Sequence, residues 1–237
     1  MPKYFKEGRI PDVGNMYLIY GGKGTGKTSL SKEFPGLKLM FNFDGSTNAI
    51  SGTDDIRVIA YDQGDAKQIQ HQFMKDFYQQ VYKTNEQGQT IINPEIGTIV
   101  LDNVTALQNW VIDNIENGSK DGRQNWNLTQ KWFRDLSFLL RKTDLPILAT
   151  VHEMSGDVPG LFKPDMNEKT FNAFASTFDV VGHIYKHDGK NMIDMDPENG
   201  NKGANRLDSR KTIEASELLN NNELLNNNTE ETKDEEI

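Results

Sequence analysis

Cysteine is absent from all 237 residues. That excludes a disulfide framework and any zinc site built on thiolates, and it makes a reducing, cytoplasmic setting the natural expectation. Long apolar runs are missing too. The hydrophobic fraction is 35%, and no stretch approaches the ~20 apolar residues that a membrane helix requires, so no membrane role is expected. The opening residues, MPKYFKEGRIPDVGN, contain no apolar signal-peptide core, and none is read there. Positive charge is in short supply, with 26 Lys and Arg against 35 Asp and Glu. The deficit is concentrated at the end: from Glu214 onward there are eight acidic residues and one lysine. The remaining 213 residues are nearly neutral, so overall acidity does not exclude a nucleic-acid partner, which needs only a local basic surface.

A chain of this length suits one domain with a substantial core. Residues 1–13 read as an N-terminal arm, 14–213 as the core and 214–237 as an acidic, Asn-rich tail. In that tail ELLNNN occurs at 217–222 and again at 223–228, followed by TEETKDEEI. Such a composition buries too little apolar surface to offset its ordering entropy, so disorder is expected. Its two Leu-Leu pairs offer a short partner-binding helix as the alternative to a solvated tail.

Upstream, strand and helix signals alternate. Tyr17–Tyr20 is a short apolar run, and Lys27–Phe34 reads as a helix stopped by Pro35-Gly36. Leu37–Phe43 and Ile56–Tyr61 read as strands. Ile69, Phe73, Phe77 and Val81 recur every four residues, the mark of an amphipathic helix. Ile96–Leu101 is a buried strand, followed by a helix through Leu107, Trp110, Val111 and Ile115. A second helical face runs through Leu128, Trp132, Leu136, Leu139 and Leu140. Pro146–Val151 is again a strand. The alternation predicts an α/β fold, a mostly parallel sheet with helices on both faces. Val180–Lys186 and Lys190–Asp194 flank Asp188-Gly189, so the sheet should end in an antiparallel hairpin.

The glycine-rich stretch after the first strand carries the chemistry. Gly21-Gly22-Lys23-Gly24-Thr25-Gly26-Lys27-Thr28 fits G-x-x-x-x-G-K-[ST] in full, and Ser29 continues it. Glycines let consecutive backbone N–H groups curl around phosphate oxygens. A helix that follows directs its N-terminal dipole at the same anion. Lys27 should reach the β- and γ-phosphates of ATP, and the Thr28 hydroxyl should ligate Mg²⁺. A second metal-side group is expected at another strand end, and Thr98-Ile99-Val100-Leu101-Asp102 supplies Asp102, expected to act through a water. Hydrolysis also needs a group to orient or deprotonate the attacking water. Asp44, ending Phe41-Asn42-Phe43-Asp44, is the candidate, although aspartate before glycine is also common in plain turns. His152 ends Leu148-Ala149-Thr150-Val151-His152 and is a candidate sensor of the γ-phosphate.

GGKGTGKTS, LMFNFDGS, TIVLDNVTAL, ILATVHE and NKGANRLDSR stand in the order and spacing of a RecA-like P-loop ATPase core. Over roughly residues 14–212 the chain resembles the phage-encoded single-domain members, described as AAA-like nucleotide-binding proteins or as single-strand annealing and recombination ATPases. The family's usual glutamate at the end of the second strand is Asp44 here, one methylene shorter, and its usual sensor glutamine is His152. The resemblance implies head-to-tail assembly into a ring or filament, with cationic groups reaching a neighbour's nucleotide. Lys202 and Arg206 are the candidates for that role. It also implies two loops that approach single-stranded DNA. Asn117–Asn127 offers Lys120, Arg123 and Trp126, and Glu153–Lys169 offers Phe162 and Lys163. Cations beside an aromatic suit base stacking, but Asp121, Asp157 and Asp165 dilute both loops.

The leading expectation is therefore an ATP- and Mg²⁺-dependent ATPase, stimulated by single-stranded DNA, that acts in recombination or annealing. A single-strand-binding protein recruited by the tail is a further expected partner. A P-loop small-molecule or nucleotide kinase is the alternative; its usual arginine-rich lid is not evident, because Arg123, Arg134 and Arg141 are scattered. A third reading is an ATP-gated assembly module that does not hydrolyse. A GTPase is disfavoured by the lack of an N-K-x-D motif.

Overall fold

The computed structural model describes residues 13–220. Residues 1–12 and 221–237, which hold most of the expected arm and tail, lie outside the described residues. The apolar run before the glycine-rich loop is β1 (Met16–Gly21), buried along its whole length. After the loop come β2 (Leu37–Asn42) and β3 (Ile56–Ala60). α1 (Ile69–Val81) carries the four-residue apolar rhythm, and Ile69, Phe73, Phe77 and Val81 are all buried. A small hairpin that periodicity did not signal, β4 (Tyr82–Thr84) with β5 (Thr90–Ile92), leads into β6 (Ile96–Asp102). α2 (Val104–Asp113), α3 (Gly122–Arg141) and β7 (Ile147–Ser155) follow. Next are β8 (Phe162–Pro164), α4 (Glu168–Ala175), β9 (Val180–His187) and β10 (Lys190–Asp194). β11 (Ala204–Asn205) and β12 (Thr212–Glu214) are the last strands described.

The main sheet runs β12-β10-β9-β1-β7-β6-β2-β3. From β9 to β3 every pairing is parallel. β10 and β12 run antiparallel, and β8 and β11 pair antiparallel onto β7 and β9. The expected mostly parallel α/β sheet with a C-terminal hairpin is what forms. At the hairpin tip Asp188 and Gly189 have φ of 48° and 80°, the left-handed pair that a two-residue turn demands.

The two faces of the sheet are covered unequally. Met16, Leu18 and Tyr20 of β1 pack with the apolar sides of α1, α2, α3 and α4. Their alternates Tyr17 and Ile19 face the other way, onto Leu30, Phe34, Ile50, Ile213, Ala215 and Leu218. All four described α-helices thus lie on one side, where helices on both faces were expected, and short turns close the other. The expected helix over Lys27–Phe34 is one of those turns, a 3-10 helix at Ser29–Glu33. Only a few residues separate the loop from Pro35. Ser31 spends its hydroxyl on the Thr28 carbonyl at 2.7 Å, the local competition that makes serine a weak helix former.

The tail boundary also moves. Glu214 ends β12, Ala215–Glu217 form a 3-10 turn, and Leu218 is 1% exposed. The segment from 214 to 220 is therefore part of the core, correcting a tail that was expected to start at 214. The first Leu-Leu pair is what made the difference, because one of its leucines fills the thinly covered face.

Candidate nucleotide-binding site

Parallel pairing brings several strand ends to one edge. Gly21 is opposite His152, and Asn42 is opposite Asp102. β7 lies between β1 and β6, so the glycine-rich loop, Asp102 and His152 meet at one edge. His152 marks the end of the parallel pairing with β1 and not, as expected, the end of its strand, which continues to Ser155. They surround a cleft of about 610 Å³ lined by Lys23, Gly24, Gly26, Lys27, Thr28, Ser29, Asp44, Ser46, Asn48, Ala49, Asp102, Asn103 and His152.

The loop makes its turn with Gly24 and Gly26 at φ of 74° and 93°, conformations strained for any residue with a Cβ. A Cβ on Gly21 would lie 2.2 Å from the Ile184 carbonyl oxygen, so the strand could not seat against β9 with a larger residue there. Thr25 donates its hydroxyl to the Gly22 carbonyl at 2.9 Å. Lys27 is 8% exposed, and its ammonium donates to the Gly21 and Gly22 carbonyls at 2.7 Å each. Burial lowers its pKa, opposed by the nearby carboxylates of Asp102, Glu153 and Asp44. The 3-10 turn after the loop is too short for the dipole support expected of a full helix. Backbone amides, Lys27 and the exposed Lys23 are left as the electropositive elements of the loop.

Asp102 is 2% exposed. One carboxylate oxygen accepts from Thr28 Oγ1 at 2.9 Å and the other from the Thr150 hydroxyl. Burial raises its pKa, and the two threonine hydroxyls work against that rise. A hydroxyl and a carboxylate side by side are the hard oxygen donors that Mg²⁺ accepts alongside phosphates, so Thr28 and, through a water, Asp102 suit such an ion.

Asp44 lies just past β2, where Ser46 N–H donates to its Oδ1 at 2.9 Å. His152 is 3.8 Å from Asp44, measured from Nε2 to Oδ2. Burial, then the charge of Lys27, lowers the His152 pKa, favouring the neutral ring. Two residues that sequence reasoning missed tie this corner together. Asn103 donates to Asp44 at 2.5 Å, touches His152 Nε2 at 3.0 Å and caps α2 by accepting from Ala106 N–H at 2.9 Å. Thr105 accepts from the His152 backbone N–H at 3.0 Å. An asparagine before Val104-Thr105-Ala106-Leu107 is a readable helix-cap signal; its second role needed the fold.

Other candidates stand apart. Lys202 pairs with Glu168 at 3.4 Å, and Arg206 reaches the Ser176 carbonyl at 3.4 Å. Neither lines the cleft of its own chain. The expected loop Asn117–Asn127 is shorter than expected, because α3 begins at Gly122 with Asp121 as its cap, accepting from Arg123 N–H at 2.9 Å. Lys120 and Arg123 are exposed, while Trp126 is half-buried on the helix. The second expected loop, Glu153–Lys169, is largely a hairpin. β7 continues to Ser155, β8 pairs back onto it, and α4 starts at Glu168. Phe162 stacks on His183 at 5.4 Å, and Lys163 pairs with Asp157 at 3.0 Å, so both are engaged within the chain.

The phosphate-loop geometry at the end of β1, with Asp102 on Thr28, is what a P-loop nucleotide-binding domain requires. A family model described as an AAA domain matches residues 14–207. The chain belongs to this AAA domain family. The match spans the sheet from before β1 to beyond β11 and takes in every residue lining the cleft. Membership makes the chain an AAA-like P-loop nucleotide-binding ATPase domain. No curated protein matches it. Among the described residues, no helix of this AAA domain is long and apolar enough to cross a membrane.

Proposed function

We propose that this chain is a Mg²⁺-dependent, RecA-like ATPase of phage type that acts on single-stranded DNA in recombination or annealing. The observation that carries the catalytic part is the convergence of Lys27, Thr28, Asp44, Asp102 and His152 on one cleft. The loop amides and Lys27 bind the triphosphate, and Lys27 offsets charge that develops on the phosphoryl oxygens. Thr28 and Asp102 would hold Mg²⁺, which supplies charge neutralisation at the phosphates when bound. Asp44 takes the proton of the attacking water as the water oxygen bonds to the γ-phosphorus. The bond from that phosphorus to the ADP oxygen breaks, and ADP and phosphate leave. His152, neutral and beside Asp44, is placed to respond to the γ-phosphate and to pass that state along β7 into the β7–β8 hairpin.

The DNA and assembly parts rest on the resemblance and on Lys120 and Arg123 being exposed. Head-to-tail contact would bring Lys202 or Arg206 to a neighbour's cleft; such a heterologous contact closes into a ring or continues as a filament. ATP turnover measured with and without single-stranded DNA tests the reading. Stimulation supports it. Phosphoryl transfer to a small acceptor would favour a kinase, and binding without turnover an assembly module. Asp44→Asn should retain ATP and lose about 10²–10⁴-fold in hydrolysis; a wild-type rate would place the base elsewhere.

A further inference from the structure

We propose that Asn103 is a positioning residue whose side-chain amide dictates the tautomer of His152 and fixes the Asp44 carboxylate beside it. The argument starts from the cap. Asn103 Oδ1 accepts from Ala106 N–H at 2.9 Å, which settles the orientation of the amide. Turned over, the amide would point N–H groups at a backbone N–H and its oxygen at a carboxylate. The Nδ2 end therefore faces Asp44 and His152. Asn103 is 1% exposed, so both Nδ2 protons need protein acceptors. Asp44 Oδ2 takes one at 2.5 Å and His152 Nε2 takes the other at 3.0 Å.

Nε2 can accept only if it carries no proton. His152 is consequently neutral with its proton on Nδ1, the reverse of the Nε2–H form that free histidine prefers. A second tie comes from Thr105, whose hydroxyl accepts from the His152 backbone N–H at 3.0 Å. The first turn of α2 and its cap thus grip β7 at His152 by backbone and ring together. Capping alone does not require asparagine: serine and aspartate cap equally well. Only an amide caps with one end and donates twice with the other. The same amide holds the His152 ring and the Asp44 carboxylate 3.8 Å apart, so movement of either group is felt by the other.

This inference rests on the ATPase reading only for its kinetic consequence. Its primary test is spectroscopic and needs no nucleotide: long-range ¹H–¹⁵N spectra of the ¹⁵N-labelled full chain. The described histidines are His71, His152, His183 and His187, and His152→Gln assigns the relevant signal. In the unmodified protein His152 should show a protonated Nδ1 and a bare Nε2; an Nε2–H signal there would overturn the proposal without any variant. In Asn103→Asp the cap survives and the new carboxyl shares one proton with Asp44, which leaves it none to give His152, so Nε2 should take up a proton of its own. Asn103→Ser keeps the cap and should leave His152 a tautomer mixture. An unchanged tautomer in both variants would also overturn the proposal. In ATP turnover Asn103→Ser should lower kcat about tenfold with KM for ATP held within about twofold. Unchanged kcat would refute the positioning role. Absence of turnover in the unmodified chain would instead remove the ATPase reading and leave the tautomer result standing.

Discussion

The two ends of the parallel strands use the same kinds of residue to opposite effect. At the amino ends, Arg141 of α3 donates to Asp179 Oδ2 at 2.7 Å, to the Thr177 carbonyl and to the Gly14 carbonyl at 3.2 Å. Asp179 Oδ2 also accepts from Met16 N–H at 2.8 Å. One cation meets one anion, with the remaining contacts to backbone, and the cluster ties α3, β1 and β9 into one unit. At the carboxyl ends, Lys27 faces Asp102 and Asp44 across an open cleft, and burial works against the charge of both Lys27 and Asp102. Charges that cancel against protein hold the fold together. Charges left facing a cleft suit a ligand that brings phosphate and metal of its own.

Substitutions at the two ends should therefore separate function from stability. The largest effect is expected from Lys27→Ala, which should cut ATP turnover by about 10²–10³-fold or more while leaving the melting temperature close to that of the parent. Undiminished turnover would break the site assignment. Next comes the thin face of the sheet. Leu218→Ala should cost about 2–5 kcal/mol in a denaturant titration, and a chain truncated after 213 should melt well below one truncated after 220. Equal melting would show that the C-terminal turn adds nothing. Arg141→Ala should cost about 2–3 kcal/mol by leaving Asp179 with its anion unpaired, with KM for ATP unaffected. The subtlest effect is at Asp102. Because its pKa is raised in the folded protein, the group favours folding less once pH exceeds the unfolded carboxylate pKa. Stability from this group is greatest in acid and declines through the folded pKa. Asp102→Asn without nucleotide should accordingly melt no lower than the parent at neutral pH, yet lose Mg²⁺-dependent protection by ATP. A large drop in melting would place Asp102 with Asp179 as a structural anion.

Much of this was legible in the residues because the signals are local. The loop motif, the four-residue rhythm of α1 and the Asp188-Gly189 turn each need only a few neighbouring positions. β8, β11 and β12 were not legible, since strands of two or three residues carry too few alternations to register. The helix expected after the loop is only a 3-10 turn, with Pro35 a few residues on and the Ser31 hydroxyl bonded back to the Thr28 carbonyl. Asn103 and Thr150 escaped notice for a different reason. Their partners Asp44, His152 and Asp102 are far away in sequence and adjacent only through the strand order. Leu218 looked like part of a repeat; its burial depends on a face that none of the described α-helices covers.

β1 has a consequence for biosynthesis. Its two neighbours, β7 and β9, lie about 130 and 160 residues downstream. At about 5–20 residues per second of translation, the loop that follows β1 waits roughly 6 to 26 seconds before the first flank exists. During that interval an apolar segment and an unfinished anion cradle remain available to solvent and to chaperones. A nucleotide would thus find a finished cradle only after β7 and β9 have emerged, too late to template the strands made before them.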